Sequence, residues 1–161
     1  MFKFMLTHKL GSLLILLSMV LFVSSCGKQT MYDHNVDVNE PWKSIDKAVF
    51  DIDITDTINQ YNVYLNIRNT VDYDYSNLYL FIKTEFPNNY VVIDTAEIFL
   101  ADMKGNWLGS GFGEIKDIQV LFRKNGRFAR KGIYHISFEQ AMRDKELYGI
   151  KSVGIRIERS N

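Results

Sequence analysis

A single cysteine, Cys26, stands in the 161 residues, so an internal disulfide is excluded and so is every standard zinc-finger pattern. Prolines number only two, and no fixed-period repeat or low-complexity tract occurs, which argues against a disordered or modular chain. Neither sign of charge is in excess, with 19 basic residues against 19 acidic ones, so a broad electrostatic field for nucleic acid is missing. Histidine is scarce as well. Beyond the N-terminal segment there are only His34 and His135, too few for a three-histidine zinc site, and no His-Glu-x-x-His pair exists. What the chain has in quantity is apolar residues, 47% of the total, enough for one self-sufficient core at this length.

The longest uncharged run, Leu10 to Val23, has 14 residues, whereas a helix crossing the hydrocarbon core needs about 18 to 20. It follows a start carrying Lys3 and Lys9 and precedes Ser24-Ser25-Cys26, the three-part layout of an export signal. A buried core helix would need a polar face at helical spacing, which Gly11, Ser12 and Ser18 do not supply. Val23-Ser24-Ser25-Cys26 resembles the lipobox of bacterial lipoproteins, an aliphatic and two small residues ahead of the cysteine that becomes the acylated N-terminus. A thiol there can take a diacylglyceryl group through a thioether. Two or three acyl chains, at about 0.8 kcal/mol per buried methylene, then hold a protein on a membrane lastingly. The resemblance implies a cleaved lipoprotein signal peptide over residues 1–25 and a palmitate-type anchor on Cys26. Gly27 in place of Asp favours the outer membrane under the sorting rule of such lipoproteins. Lys28-Gln29 lacks the acidic run that marks surface export, so a periplasm-facing domain is expected.

Residues 26–47 are polar and aperiodic, contain Pro41, and read as a lipidated N-terminus and tether ending in a docked segment where Trp42 seals one end of the core. From residue 48 to 161 the pattern is period two. Phe50, Ile52 and Ile54 alternate with Asp51 and Asp53; Tyr61, Val63, Leu65 and Ile67 alternate with Asn62, Tyr64, Asn66 and Arg68. Leu78, Leu80 and Ile82, with Tyr79 and Phe81 on the other face, predict a central strand. Tyr90 to Phe99, Ile118 to Phe122, Tyr134 to Phe138 and Val153 to Ile157 complete seven strands. Only Glu139 to Leu147, with Ala141, Met142 and Leu147 apolar and Gly149 as a stop, predicts a short helix. The expectation is an all-β fold: a single antiparallel β-sandwich domain of about seven strands with a short helix.

A set of blocks spread over the whole chain carries a family resemblance. These are Trp42-x3-Asp46-x3-Phe50; Tyr61-Asn62-x2-Leu65-x-Ile67-Arg68-Asn69; Tyr75-Ser76-Asn77-Leu78; and Leu100-Ala101-Asp102-x2-Gly105-x-Trp107-Leu108-Gly109-x-Gly111-x-Gly113-x-Ile115-x-Asp117. Gly132-x-Tyr134, Glu139-Gln140-Ala141-Met142-Arg143 and Gly149-Ile150-x2-Val153-Gly154-Ile155-Arg156-Ile157-Glu158 follow. Together they resemble the gliding-motility lipoprotein GldH family. The resemblance implies a non-catalytic envelope lipoprotein of the gliding motility and type IX secretion machinery, with other envelope proteins of that machinery as partners. It implies no catalytic residue, and no cofactor, metal or small-molecule substrate is expected.

Several constellations bear on chemistry. Gly105, Gly109, Gly111 and Gly113 lack the Gly-Lys-Ser/Thr ending of a phosphate loop and do not form a dinucleotide fingerprint. They read as a tight loop with Trp107 capping the sandwich edge, or as a rim where Trp107 and Phe112 contact a partner. Arg123, Lys124, Arg127, Arg130 and Lys131 surround Asn125-Gly126, a hairpin-turn pair. A solvated turn is one reading; the other is a patch for anionic lipid head groups or an acidic partner, in which Arg127 and Phe128 make contact. Ser110 lacks the nucleophile-elbow spacing, and His135 falls on the solvent side of its strand. Asp51 and Asp53 share a strand face but would need a partner strand to hold calcium or cut a glycoside. Tyr73, Tyr75 and Tyr79 could stack on sugars, which keeps a carbohydrate-binding module as the alternative and a cryptic hydrolase as the third reading.

Overall fold

The computed structural model describes residues 29–160, so the expected signal segment and Cys26 lie outside the described residues. The strands are β1 (Thr30–Asp37), β2 (Trp42–Lys43), β3 (Ala48–Ile54), β4 (Tyr61–Thr70), β5 (Asn77–Glu85), β6 (Val91–Phe99), β7 (Ile115–Gly126), β8 (Gly132–Gln140), β9 (Glu146–Leu147) and β10 (Ile150–Arg159). All pair antiparallel. One four-stranded sheet runs β1-β10-β4-β7, the other β3-β8-β5-β6, and β2 with β9 makes a small third ladder.

Period-two burial explains the layering. In β3, Ala48, Phe50, Ile52 and Ile54 are buried while Val49, Asp51 and Asp53 face water. Leu65 and Ile67 of β4 and Val153, Ile155 and Ile157 of β10 meet Leu78, Leu80 and Ile82 of β5 and Phe138 of β8 in one core between the sheets. The central place expected for the Leu78–Ile82 segment holds, since β5 lies between β8 and β6. Its outer face is not apolar-covered, and Phe81 is 45% exposed.

Two expectations are corrected. The stretch assigned to a tether contributes β1, which pairs along β10 from Thr30↔Glu158 to Asp37↔Ser152. Its side chains are largely polar because it is an edge strand, held by backbone hydrogen bonds that β10 supplies. The short helix over Glu139–Leu147 is absent: among the described residues there is no helix. Glu139 and Gln140 instead end β8. The buried Gln140 amide donates to the Asp144 carbonyl (2.8 Å) and accepts from the Met142 N–H (2.9 Å), curling residues 141–145 around one side chain. Ala141 N–H donates to the Tyr79 carbonyl, a tertiary bond that a helix would forgo. Gly149 does end the segment, in a turn with φ +86° that leads into β10.

Trp42 is fully buried, as its place in the docked segment predicts. Its indole N–H donates to the carbonyl of Asp46 (2.9 Å), four residues on, so the Trp-x3-Asp spacing is one closed turn. Lys43–Glu146 and Trp42–Leu147 pairing then pins that turn over one end of the sandwich.

Candidate functional site

The register sorts the loops into two ends. Gln29 accepts from the Arg159 N–H (3.0 Å), Arg159 faces Tyr61 across β10 and β4, and Tyr61 faces Gly126 across β4 and β7. The start of β1, the end of β10 and the exit of β7 therefore share one end, where Gln29, the first described residue, is also bonded. Thr70 faces Ile115 and Asn77 faces Phe99 at the other end, where the glycine loop and Trp42 lie.

At that second end, Asp102 organises the loop between β6 and β7. Its carboxylate accepts from the Asn106 side chain (2.9 Å) and from the N–H groups of Asn106 and Lys104, bonds that hold its pKa below the usual carboxylate range. Ser110 and Asp117 then exchange backbone hydrogen bonds, folding the loop flat onto the start of β7. A Cβ at Gly109 would lie 2.9 Å from the Asp117 carbonyl oxygen, and one at Gly111 would overlap that of Ile115, so these glycines are required by close backbone approach. Trp107 and Phe112 part company here. Trp107 is half-buried against the core, bridged to Ala101, whereas Phe112 is 99% exposed and shares the loop with exposed Met103 and Leu108.

At the first end, Asn125-Gly126 is no hairpin turn. Asn125 takes a positive φ of 53°, but β7 continues to Gly126 and the chain then crosses to the other sheet to begin β8. Phe128 explains the crossing: its ring sits 5.7 Å from that of Tyr61 and 5.5 Å from that of Tyr134, and Tyr134 in turn packs 5.2 Å from Phe86. The Tyr134 hydroxyl donates to the Arg130 carbonyl (3.0 Å), and the Tyr61 hydroxyl donates to Asp56 (2.8 Å). Arg127 is exposed beside Phe128, so the structure brings these two together and places them away from Trp107 and Phe112.

Between the sheets at this end lies a cleft of about 450 Å³. The sandwich is shut along β1 and β3, where His34 meets Phe50 edge-on at 6.4 Å. Along the opposite edges, β7 and β6, it is bridged by Arg123 to Asp94 (2.9 Å). Val63, Phe86, Val92, Phe122, Phe128 and Ile136 line the cleft, and it reaches buried Leu65, Phe138 and Ile155. No sequence signal singled it out, because each wall strand shows only ordinary alternation.

A second concavity, about 400 Å³ and polar, crosses the outer face of the first sheet. The Gln119 amide donates to Asn66 (2.8 Å), Asn66 donates to Asn35 (3.0 Å), and Arg68 grips Asp117 through two bonds. Gly154 lies in the same cross-strand row, leaving room for Asn35 to reach over β10.

The remaining candidates are ordinary surface or packing groups. His135 pairs with Asp51 at 2.6 Å in the open. Tyr73 is buried with its hydroxyl donated to the Asn77 carbonyl (3.0 Å), and that burial drives its pKa up. Tyr73 and Tyr75 cross at 65°, which is not a flat stacking platform. Among the described residues no group of three or more His, Asp or Glu side chains is placed to hold a metal ion.

Comparison with known proteins places these features. Residues 30–157 match the family described as GldH lipoprotein. The chain is 37% identical over 157 residues to the gliding motility lipoprotein GldH homolog of Christiangramia forsetii, covering 93% of this chain and 96% of that one. It is 31% identical over 160 residues to the gliding motility lipoprotein GldH of Flavobacterium johnsoniae, covering 95% and 98%. A solved structure, dimeric latent PorU from Porphyromonas gingivalis, aligns over 86% of this chain and 14% of its own at 5% identity and a TM-score of 0.37, below the level of a shared fold.

Proposed function

Because the chain belongs to the GldH lipoprotein family, we propose that it is a non-catalytic outer-membrane lipoprotein serving gliding motility and type IX secretion through contacts with other envelope proteins. Cys26 carries the acyl anchor, and the sandwich faces the periplasm. The observation that carries a contact role is the loop between β6 and β7, which holds Met103, Leu108 and Phe112 in water on a backbone made rigid by Asp102 and by the Ser110–Asp117 bridge. Large apolar side chains on a fixed frame anchor protein partners at little ordering cost. Trp107, half-buried beneath the loop, supports that surface.

In the host, the chromosomal gene is replaced by Cys26→Ala and by a triple Met103→Ser, Leu108→Ser, Phe112→Ser. Colony spreading, release of type IX cargo and density-gradient fractionation of membranes are then measured. Cys26→Ala is expected to leave the outer-membrane fraction, and the triple variant to stay there with spreading and secretion lost. A deletion strain that moves and secretes normally would end the proposal; a triple variant with full activity would remove the loop from it.

The carbohydrate reading draws support from one feature, the polar groove of Asn35, Asn66, Arg68, Asp117 and Gln119. Binding of peptidoglycan fragments that Asn66→Ala abolishes would favour it. No binding at all would dismiss it.

A further inference from the structure

We propose that the cleft between the two sheets takes an acyl chain of an anionic membrane phospholipid, with the head group held at the rim by Arg127 and with exposed Lys124, three residues away, adding positive charge to the same end. The first ground is location. Gln29 is three residues after Cys26, a reach of about 10 Å at most, and it is bonded to Arg159 at the same end of the sandwich as Tyr61 and Gly126. An anchor on Cys26 therefore brings this end, and not the Phe112 end, to the bilayer. That placement rests on the acylation proposed above; the cleft itself does not.

Charge is the second ground. Lys124, Arg127, Arg130 and Lys131 are exposed here, and among the described residues none has an acidic partner within ion-pair distance. Of the acids at this end, Asp94 holds Arg123 and Asp56 is turned onto Ile58, Asn59 and Tyr61. Unpaired cations on a membrane-facing surface attract anionic lipid, each contributing on the order of 1 kcal/mol there. The third ground is the apolar surface around and inside the opening. Ile58 (80% exposed) and Tyr90 (62%) stand on loops of this end, side chains that suit the head-group layer. The cleft at the same end is lined by phenylalanine, valine and isoleucine and lies in the size range of ligand pockets, about 300 to 1,000 Å³. Basic rim and apolar interior together match a molecule with an anionic head and a hydrocarbon tail.

The full chain, purified with its anchor, is reconstituted in phosphatidylcholine vesicles containing phosphatidylglycerol that bears a diazirine at the end of one acyl chain. Photolysis and peptide mapping are expected to place the label on Val63, Val92, Phe122 and Ile136. Val63→Trp, which fills the cleft, should remove that label, and Lys124→Gln with Arg127→Gln, both on the surface, should lower it about tenfold or more. The mass of the N-terminal peptide reports acylation separately, so loss of the anchor and loss of cleft binding are told apart. Label confined to residues ahead of Gln29, or equal labelling of the wild type and the double glutamine variant, would overturn the proposal, as would equal labelling from a phosphatidylcholine carrying the same diazirine chain.

Discussion

Gly154→Ala should detach β1 from the sheet while leaving the rest of the sandwich intact. A Cβ on residue 154 would overlap Oδ1 of Asn35 and lie 2.7 Å from the His34 carbonyl oxygen. The first clash is relieved by turning Asn35 away, which loses its bond from the Asn66 amide (3.0 Å), about 1 kcal/mol or less on an open face. The second is with backbone, so β1 itself must move, and overpacking of that kind costs about 1–3 kcal/mol. The whole penalty, about 1–4 kcal/mol, falls on one edge strand whose only ladder partner among the described residues is β10. Local opening should therefore rise at least about fivefold there. Hydrogen exchange read by mass spectrometry over residues 30–37, against 61–70 and 77–85 as internal references, measures it. In an Asn35→Ala background Gly154→Ala should cost only the backbone part, because the bond from Asn66 is already gone while the His34 oxygen remains in the way. Unchanged protection in β1, or a uniform loss through β4 and β5, would refute the claim that β1 is a separately held strand.

Trp42→Ala empties a fully buried indole site and should cost about 3–5 kcal/mol, whereas Trp42→Phe keeps most of the packing and loses the bond to Asp46, about 1–2 kcal/mol; urea melts separate the two, and a Trp42→Phe protein as stable as the wild type would contradict the role given to the indole N–H. The bonds that Asp56 accepts from the Asn59 amide, the Ile58 N–H and the Tyr61 hydroxyl hold its pKa below that of an unfolded carboxylate. Its stabilisation is thus complete above the unfolded value and disappears as pH falls through the lower folded one, so Asp56→Asn should flatten the acid limb of Tm against pH, and parallel curves for the two proteins would count against it. Phe112→Ser should leave stability within about 0.5 kcal/mol, since the ring is 99% exposed, and a larger drop in the thermal melt would mean that it packs on something. On acyl-anchored protein in vesicles, a fluorophore at position 127 should be quenched by lipid-borne quencher and one at 112 should not; the reverse pattern would invert the orientation.

Strands were readable wherever one face is core and the other water, because two-residue alternation is then written into the residue types, as in Phe50-Asp51-Ile52-Asp53-Ile54. β1 escaped because an edge strand can be stabilised by its neighbour's backbone, leaving its own side chains, Asp33, His34 and Asn35, free to be polar. The helix over Glu139–Leu147 was misread because local propensity was outvoted by one buried amide, Gln140, whose bonds with Met142 and Asp144 no periodicity reveals. Asn125-Gly126 carried a true signal for positive φ at Asn125 and a false one for a hairpin; Phe128, lodged between Tyr61 and Tyr134, decides where the chain goes next. Of the four side chains expected to meet a partner, Trp107 and Phe112 lie at one end and Arg127 and Phe128 at the other, a division set by strand register and invisible in their spacing. The cleft was the least legible feature. It depends on how far apart β6 and β7 stand, a property of two whole sheets.

That division gives the molecule a direction. β4 runs ten residues from Tyr61, at the end where Gln29 lies, to Thr70 at the loop end, about 33 Å at the rise of an extended strand. β10 and β7 lie on either side of it, so the span is a braced slab. With only Gly27 and Lys28 between Cys26 and Gln29, little slack separates an acyl anchor from this slab, and the first residues past the slack are already hydrogen-bonded into it through Arg159 and β10. A freely swinging domain would need a long flexible linker; here the strand that follows the anchor is part of the sheet. Force or position applied at the loop carrying Phe112 would thus pass along β4, β7 and β10 to the end where Gln29 lies. On the membrane placement proposed above, the basic residues from Lys124 to Lys131 and the exposed Ile58 and Tyr90 would widen that end from a single attachment point into a footing. On the contact role proposed for that loop, such a slab would present Phe112 at a set height and a set orientation, which a partner fixed in the same envelope could meet repeatedly.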